Sequence, residues 1–420
     1  MFKKLLNNQR VNLLSMVATQ GSSALLPLII FPYLLSVIGV DAFSKLVISE
    51  TLSFICLAVV LYGFDIVSIK QLTKLKSTAE VSEIFSNVLY SRVVLFGFIL
   101  PLIGIIYIFY GSDISEMYIY WLFIPLGHIF QCAYFYIYKQ SNFILAMATV
   151  TNRIVALIAI FMFVNEPEDV ALVPLIIGVS YFLGGLFAFM FIIFYWKISL
   201  KVFSFSAVWF GLKDGLSYFI SNSSVLLYRD LNILILSVVF KDPEAISIYA
   251  LAEKIVKSTQ AIFRPLSQFY LPKALLALVE YSKPNKHTAK VLWAFTINQL
   301  ILFSFLYVSL ISVVFIFKLP LINIVGSDVY DALVFSLPMM SMIYFGISNY
   351  MFGMVGLNAL GEDRTLAVYI LLTGLCNLCL CSFLGWLFGA TGAAFCFVIS
   401  EIVIFIFIAR KYVMRAVYNG

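Results

Sequence analysis

The residues best equipped for chemistry in this chain are charged side chains set in otherwise apolar surroundings. Arg153 lies midway along one apolar run, Arg229 and Asp230 midway along another, and Glu401 midway along a third, while Glu253, Lys254, Lys257 and Arg264 share a fourth. If such runs cross a bilayer, each charge costs at least about 2.5–3.5 kcal/mol near its centre, so each asks for a partner or a water-filled cavity. Positions 253, 257, 261 and 264 follow i, i+4, i+8 and i+11, one helical face that reads Glu, Lys, Ala, Arg. That face could hold an anionic head group with Glu253 free for proton coupling. Alternatively, Glu253 and Lys257 neutralise each other while Arg264 snorkels to the interface. Arg153 could contact a ligand or tie to Asp230 or Glu401. Arg229 and Asp230 are neighbours about 100° apart on a helix and need not pair, which makes Asp230 a candidate proton or counter-ion site.

Other residue types offer less. Pro27 and Pro32, inside the first apolar run, would free carbonyls and kink a helix, a common gating device. His128 reads as a packed neutral imidazole, with a proton relay as the alternative. Glu50 reads as interfacial, and Arg92 and Asp65 fall near the ends of their runs, where snorkelling is cheap. All six cysteines lie inside apolar runs, and Cys376-x-x-Cys379 has no histidine or carboxylate nearby, so they read as packing thiols rather than metal ligands. No Gly-x-x-x-x-Gly-Lys-Ser/Thr loop is present. The sequence therefore implies no cofactor, no metal, no nucleic-acid partner and no direct use of ATP.

The elements that must position these charges are membrane spans. Of 420 residues, 63% are hydrophobic and 11% charged, too few charges to cover a soluble surface. Apolar runs of about 20 residues, each able to cross roughly 30 Å of hydrocarbon, fall near 12–38, 45–66, 86–110, 118–138, 143–164, 171–195, 214–240, 246–270, 291–317, 331–355, 365–388 and 391–410. With both termini cytoplasmic, the inner loops and tails hold 18 Lys and Arg, and the outer loops hold three, Lys45, Lys241 and Lys318. The first run is read as a retained span, since no small-residue cleavage motif follows it. Short outer loops leave no room for a hydrolase or transferase domain.

The chain also repeats weakly. The stretch from Asp41 to Glu50 resembles that from Glu244 to Glu253, Gly111-Ser-Asp113 recurs as Gly326-Ser-Asp328, and Gln20-Gly-Ser-Ser23 echoes Ser221-Asn-Ser-Ser224. The matches fall in order, which predicts an all-α integral membrane protein of about twelve helices in two six-helix bundles. Each half has an even number of spans, so a pseudo-two-fold along the membrane normal should relate them. The expected domains are 1–196, a cytoplasmic linker at 197–213, and 214–420, with a cavity at the bundle interface suited to alternating access.

Ile38-Gly-Val-Asp-Ala-Phe43, Leu61-Tyr-Gly-Phe64, Ile248-Tyr-Ala-Leu-Ala-Glu-Lys-Ile-Val-Lys257, Phe263-Arg-Pro265 and Leu271-Pro-Lys273 resemble Wzx-type polysaccharide flippases of the multidrug/oligosaccharidyl-lipid/polysaccharide exporter superfamily. The resemblance implies a non-enzymatic carrier in the bacterial inner membrane. Its substrate would be an O-antigen repeat unit on undecaprenyl pyrophosphate, moved from the cytoplasmic to the periplasmic leaflet with ion coupling. Membrane lipid, a polysaccharide polymerase and a chain-length regulator are the other implied partners. On this reading Arg153, Lys254, Lys257, Arg229 and Arg264 contact substrate, Asp230, Glu253 and Glu401 couple ions, and Pro27 and Pro32 gate. The rivals are a drug or cation antiporter of the same fold, which would favour an acidic cavity, and a membrane polymerase, which would need a large outer loop.

Overall fold

A computed structural model describes residues 9–75, 77–280, 286–357 and 362–418. Its elements are helical: α1 Gln9–Leu61, α2 Phe64–Leu72, α3 Thr78–Ile99, α4 Leu102–Trp121, α5 Phe123–Gln131, α6 Ala133–Tyr138, α7 Asn142–Phe163 and α8 Leu172–Tyr195. There follow α9 Phe205–Arg229, α10 Asn232–Val239, α11 Pro243–Glu280, α12 Lys286–Ile316, α13 Lys318–Val325, α14 Ser327–Met339 and α15 Met342–Asn349. A π-helical segment, Tyr350–Leu357, precedes α16 Asp363–Phe388 and α17 Ala390–Tyr418.

Eight helical stretches among the described residues are long and apolar enough to cross a membrane, and two bent pairs would raise that to ten. Large apolar side chains such as Phe98, Ile108, Phe109 and Phe194 are more than three-quarters exposed. In water this surface would aggregate; in lipid it is simply the solvated face. The chain is a multi-pass membrane protein. Packing thiols are found at Cys56, Cys132, Cys381 and Cys396, but Cys376 and Cys379 are exposed on α16, so their apolar surroundings are lipid rather than core.

Three of the loops expected between spans contain a break on a single glycine. Gly39 (φ 75°, ψ 171°) interrupts α1, Gly111 (φ 81°, ψ −170°) interrupts α4, and Gly326 (φ 89°, ψ 164°) separates α13 from α14. This region of backbone space is essentially closed to residues with a Cβ. The repeated Gly-Ser-Asp strings thus mark the same backbone device used twice. Pro27 and Pro32 sit inside α1, whose only non-helical residue is Gly39. The span expected at 214–240 is broken instead at Asp230–Leu231, where α9 and α10 meet at 48°.

The chain divides into two compact units, one comprising Met1–Leu26 and Val37–Ser223, the other Pro27–Ser36 and Ser224–Gly420. The first has an aromatic core in which Phe64, Phe85, Tyr134, Phe135 and Tyr136 pack with Ala188 and Ile192. A satellite core in the second gathers Val314, Tyr330 and Leu337. In the first unit the stretch after α8 runs along α3. Ser199 N donates to Ser82 Oγ (3.3 Å), Lys201 N donates to Ser86 Oγ (2.8 Å), and Tyr90 OH donates to Lys201 O (2.7 Å).

Thermal melts of the purified protein test the part these glycines play. A Cβ on residue 326 meets nothing within 4 Å, so Gly326→Ala should lose about 1–3 kcal/mol through strain alone. Gly97, equally uncrowded but inside α3, should tolerate alanine or gain up to about 1 kcal/mol.

Candidate functional site

In the second unit, α9 ends on Tyr228 and Arg229, the turn supplies Asp230, and α11 supplies Glu253, Lys257 and Gln260. Lys257 Nζ lies 2.8 Å from Asp230 Oδ1 and 2.9 Å from Glu253 Oε1, so one ammonium bridges two carboxylates from two elements. The i, i+4 pairing of Glu253 and Lys257 is therefore present, and Asp230 completes it. Arg229 points elsewhere, donating to Gln260 Oε1 and lying over the ring of Phe397 at 5.9 Å. Adjacent positions with separate partners are what a 100° step allows. Lys254 Nζ sits 3.8 Å from the centroid of Phe31, a cation–π contact. The side chain of Arg264 lies outside the described residues.

Glu401, on α17, is 3% exposed. Asn349 Nδ2 donates to its Oε2 at 2.8 Å and to its backbone oxygen at 3.1 Å, and Tyr228 OH approaches Oε1 at 3.5 Å. Among the described residues no cation lies within ion-pair distance of it, unlike Asp230 and Glu253. Beside it runs an uncharged network: Asn377 Nδ2 donates to Asn232 Oδ1 (2.9 Å), Ser400 Oγ to Asn377 Oδ1 (3.1 Å), and Asn232 Nδ2 to Tyr249 OH (3.0 Å). These neutral residues escaped the sequence reading because an amide in an apolar run carries no charge to flag it. The available signal was Asn232 and Asn377 standing in otherwise apolar runs.

In the first unit, Arg153 on α7 is held by neutral groups. Its Nη1 donates to Thr19 O (2.9 Å) and Ser22 Oγ (2.6 Å), and its Nη2 to Tyr181 OH (3.3 Å). Its described partners include neither Asp230 nor Glu401. A small pocket adjoins it, lined among others by Gln131, Thr149, Asn152, Ser180 and Tyr181, with no carboxylate in its wall. Close packing of α5 on α8 frames that pocket, since a Cβ on Gly185 would strike the carbonyl of Gly127.

Arg92 corrects the sequence reading. Rather than snorkelling, it is 1% exposed and paired with Asp65 at 2.7 Å, with Nη1 donating to His128 O (3.3 Å) and Tyr134 under its guanidinium at 5.4 Å. Its charge is matched inside the fold, so nothing drives it outward. Glu50 is buried within the protein. The His128 ring packs at 5.7 Å from that of Tyr181.

Residues 10–272 match the family described as polysaccharide biosynthesis protein. Over 273 residues the chain is 25% identical to an Escherichia coli (strain K12) protein named "Putative O-antigen transporter", a match spanning 64% of this chain and 66% of that protein, just under two thirds. A Shigella dysenteriae protein of the same name is 21% identical over 284 residues, 66% of this chain and 70% of its own length. Among solved structures, the lipid II flippase MurJ in an inward closed conformation aligns with TM-score 0.70 and 16% identity over 95% of this chain and 87% of its own. An inward-facing multidrug resistance MATE family transporter of the MOP superfamily aligns with TM-score 0.69 and 12% identity over 93% and 94%. At these identities the likeness is one of fold.

The bridged cluster makes a stability prediction. Lys257→Met strands two carboxylates and should cost roughly 3 kcal/mol, the lower end for breaking a buried pair. Neutralising the partners as well, in the triple variant with Asp230→Asn and Glu253→Gln, should recover most of that loss. Thermal unfolding in detergent, compared across the two variants, measures it.

Proposed function

Because this chain belongs to the polysaccharide biosynthesis protein family, we propose that it is a flippase, not an enzyme, that turns a lipid-linked oligosaccharide from one leaflet to the other by alternating access. The observation that carries this reading is Arg153, an intramembrane cation whose partners are all neutral. A cation kept in hydrocarbon without a carboxylate is expensive unless an anion visits it. The head of a lipid-linked glycan brings such an anion, while its polyprenyl tail stays in lipid. The protein then need only shield the polar head.

On this reading the cargo is an O-antigen repeat unit on undecaprenyl pyrophosphate, carried from the cytoplasmic to the periplasmic leaflet of a bacterial inner membrane. Both termini are cytoplasmic, and a polymerase and chain-length regulator receive the product. Arg153, Lys254, Lys257, Arg229 and Arg264 serve the head group, and Pro27 and Pro32 give α1 the compliance to gate. Asp230, Glu253 and Glu401 couple the cycle to an ion gradient. The twelve-span, two-bundle plan draws support from the ten spans that the bent pairs allow. The Gly39 break divides one long stretch in two, and α11 adds a twelfth. The face of α11 that carries Glu253 and Lys257 is the charged part of that span.

One observation favours a second reading, a cation antiporter of the same fold: Glu401 is a buried acid with neutral partners, a fit for a transported cation.

Sidedness of the lipid-linked oligosaccharide, probed in intact spheroplasts with an impermeant lectin, separates the two. Exposure at the outer leaflet should require the protein and should fall at least tenfold with Arg153→Gln at equal protein level. Exposure that is the same with and without the protein would transfer the case to the antiporter.

A further inference from the structure

The pocket beside Arg153 contains more than the arginine. A guanidinium has five N–H groups. Thr19 O and Ser22 Oγ take those of Nη1 and Tyr181 OH takes one of Nη2, which leaves Nε–H and one Nη2–H. Among the described residues these two have no partner. The Asn152 side-chain amide, in the same wall, also makes no hydrogen bond within the described residues. Opposite in character are Thr149 and Ser180. Their hydroxyl hydrogens are directed at carbonyls of their own helices, Leu145 (2.6 Å) and Ile176 (2.9 Å), so they turn lone pairs to the pocket. The wall thus sets an anion-accepting group of N–H donors next to hydroxyl acceptors.

The position of Asn152 depends on residue 184. An added Cβ there would collide with Asn152 Nδ2, so only glycine leaves space for the amide. Gly184 and Gly185 have separate tasks: Gly185 lets α8 approach α5, and Gly184 seats a polar side chain of α7.

Resting on the flippase reading, we infer that Asn152 and Arg153 form a subsite for an oxyanion flanked by sugar hydroxyls, with Asn152 a specificity-determining residue seated by Gly184. The oxyanion accepts from Arg153 and from the Asn152 amide, and the neighbouring hydroxyls donate to Thr149 and Ser180. A carboxylate on an acidic sugar and a phosphate joining sugar to lipid share this chemistry.

The test uses the full chain in lipid nanodiscs and three probes: a glucuronate-containing trisaccharide, the same trisaccharide with glucose in place of glucuronate, and undecaprenyl pyrophosphate. At least one anionic probe should bind tenfold or more tightly than the neutral trisaccharide, and which one does so identifies the source of the oxyanion. Asn152→Asp, nearly isosteric, sets a carboxylate beside Arg153 and should weaken anion binding at least tenfold. Gly184→Ala should weaken it at least threefold, and adding Asn152→Leu to it should cost no more than the larger single effect, because both changes remove one amide. Equal binding of anionic and neutral probes, or wild-type affinity in Asn152→Asp, overturns the subsite. The spheroplast assay keeps the two ideas apart. If the wild-type chain binds the anion yet glycan exposure does not depend on it, the flippase reading falls and the subsite stands. If exposure depends on the chain but proceeds at the wild-type rate in Asn152→Asp, the subsite falls alone.

Discussion

A charge or a free carbonyl inside hydrocarbon must find its partner within the protein, because lipid supplies none. This constraint organises both units. Arg92 meets it with Asp65 (2.7 Å), and Lys257 meets it twice over with Asp230 and Glu253. Arg153 and Glu401 meet it only with neutral groups, which fix the side chain in place without cancelling its charge. The Arg92 pair is self-contained, the Lys257 cluster holds one cation for two carboxylates, and Arg153 has no carboxylate among its described partners.

The same rule explains where the amides are. At the Asp230–Leu231 break the chain leaves the helical path: Leu226 O keeps its ordinary bond from Asp230 N and takes Leu231 N as well, one residue out of helical register. The next carbonyls need other donors, and Asn377 Nδ2 reaches Leu227 O (3.3 Å) while Asn232 Nδ2 reaches Tyr228 O (3.3 Å). The first unit repeats the solution with a charged donor. His128 stands four residues before Cys132, where the backbone turns left-handed (φ 44°, ψ 50°), and its carbonyl accepts from Arg92. Polar residues inside these spans are therefore of two kinds, those that repair a broken helix and those that keep a charge available, and only the second kind is a candidate for function.

That distinction sets the limit of what the sequence makes legible. Membrane class follows from composition, and the separate engagement of Arg229 and Asp230 follows from helical geometry. The pairing of Glu253 with Lys257 follows from their spacing, but Asp230 as a third member does not, since α9 and α11 are brought together by tertiary packing. Arg92 looked peripheral because its match, Asp65, is 27 residues away along the chain and nothing local announces it. The loop at Gly39 was expected to be several residues long, because a reversal on one glycine depends on a φ that a hydropathy profile does not record. Asn152 and Gly184 lie in different helices and gain meaning only when one fills the space the other vacates.

The contrast between Arg92 and Arg153 carries the functional argument furthest. Both are arginines in spans of the same unit, exposed to the same cost of desolvation, and for one of them the chain supplies a carboxylate. Had Arg153 only to brace α7 against α1 and α8, a carboxylate among its partners would do so at lower electrostatic cost, as Asp65 does for Arg92. Neutral acceptors instead hold the guanidinium still while its positive potential stays effective in a low-dielectric setting, where it is several times stronger than in water. Glu401, in the other unit, also takes its hydrogen bonds from neutral groups, but its charge acts on the Arg229 guanidinium as well. On the proposed reading, the first unit retains a charge that suits an anionic head group. Arg153 is neutralised only when its ligand is present, which is the differential interaction that a carrier needs if ligand occupancy is to shift its conformational equilibrium.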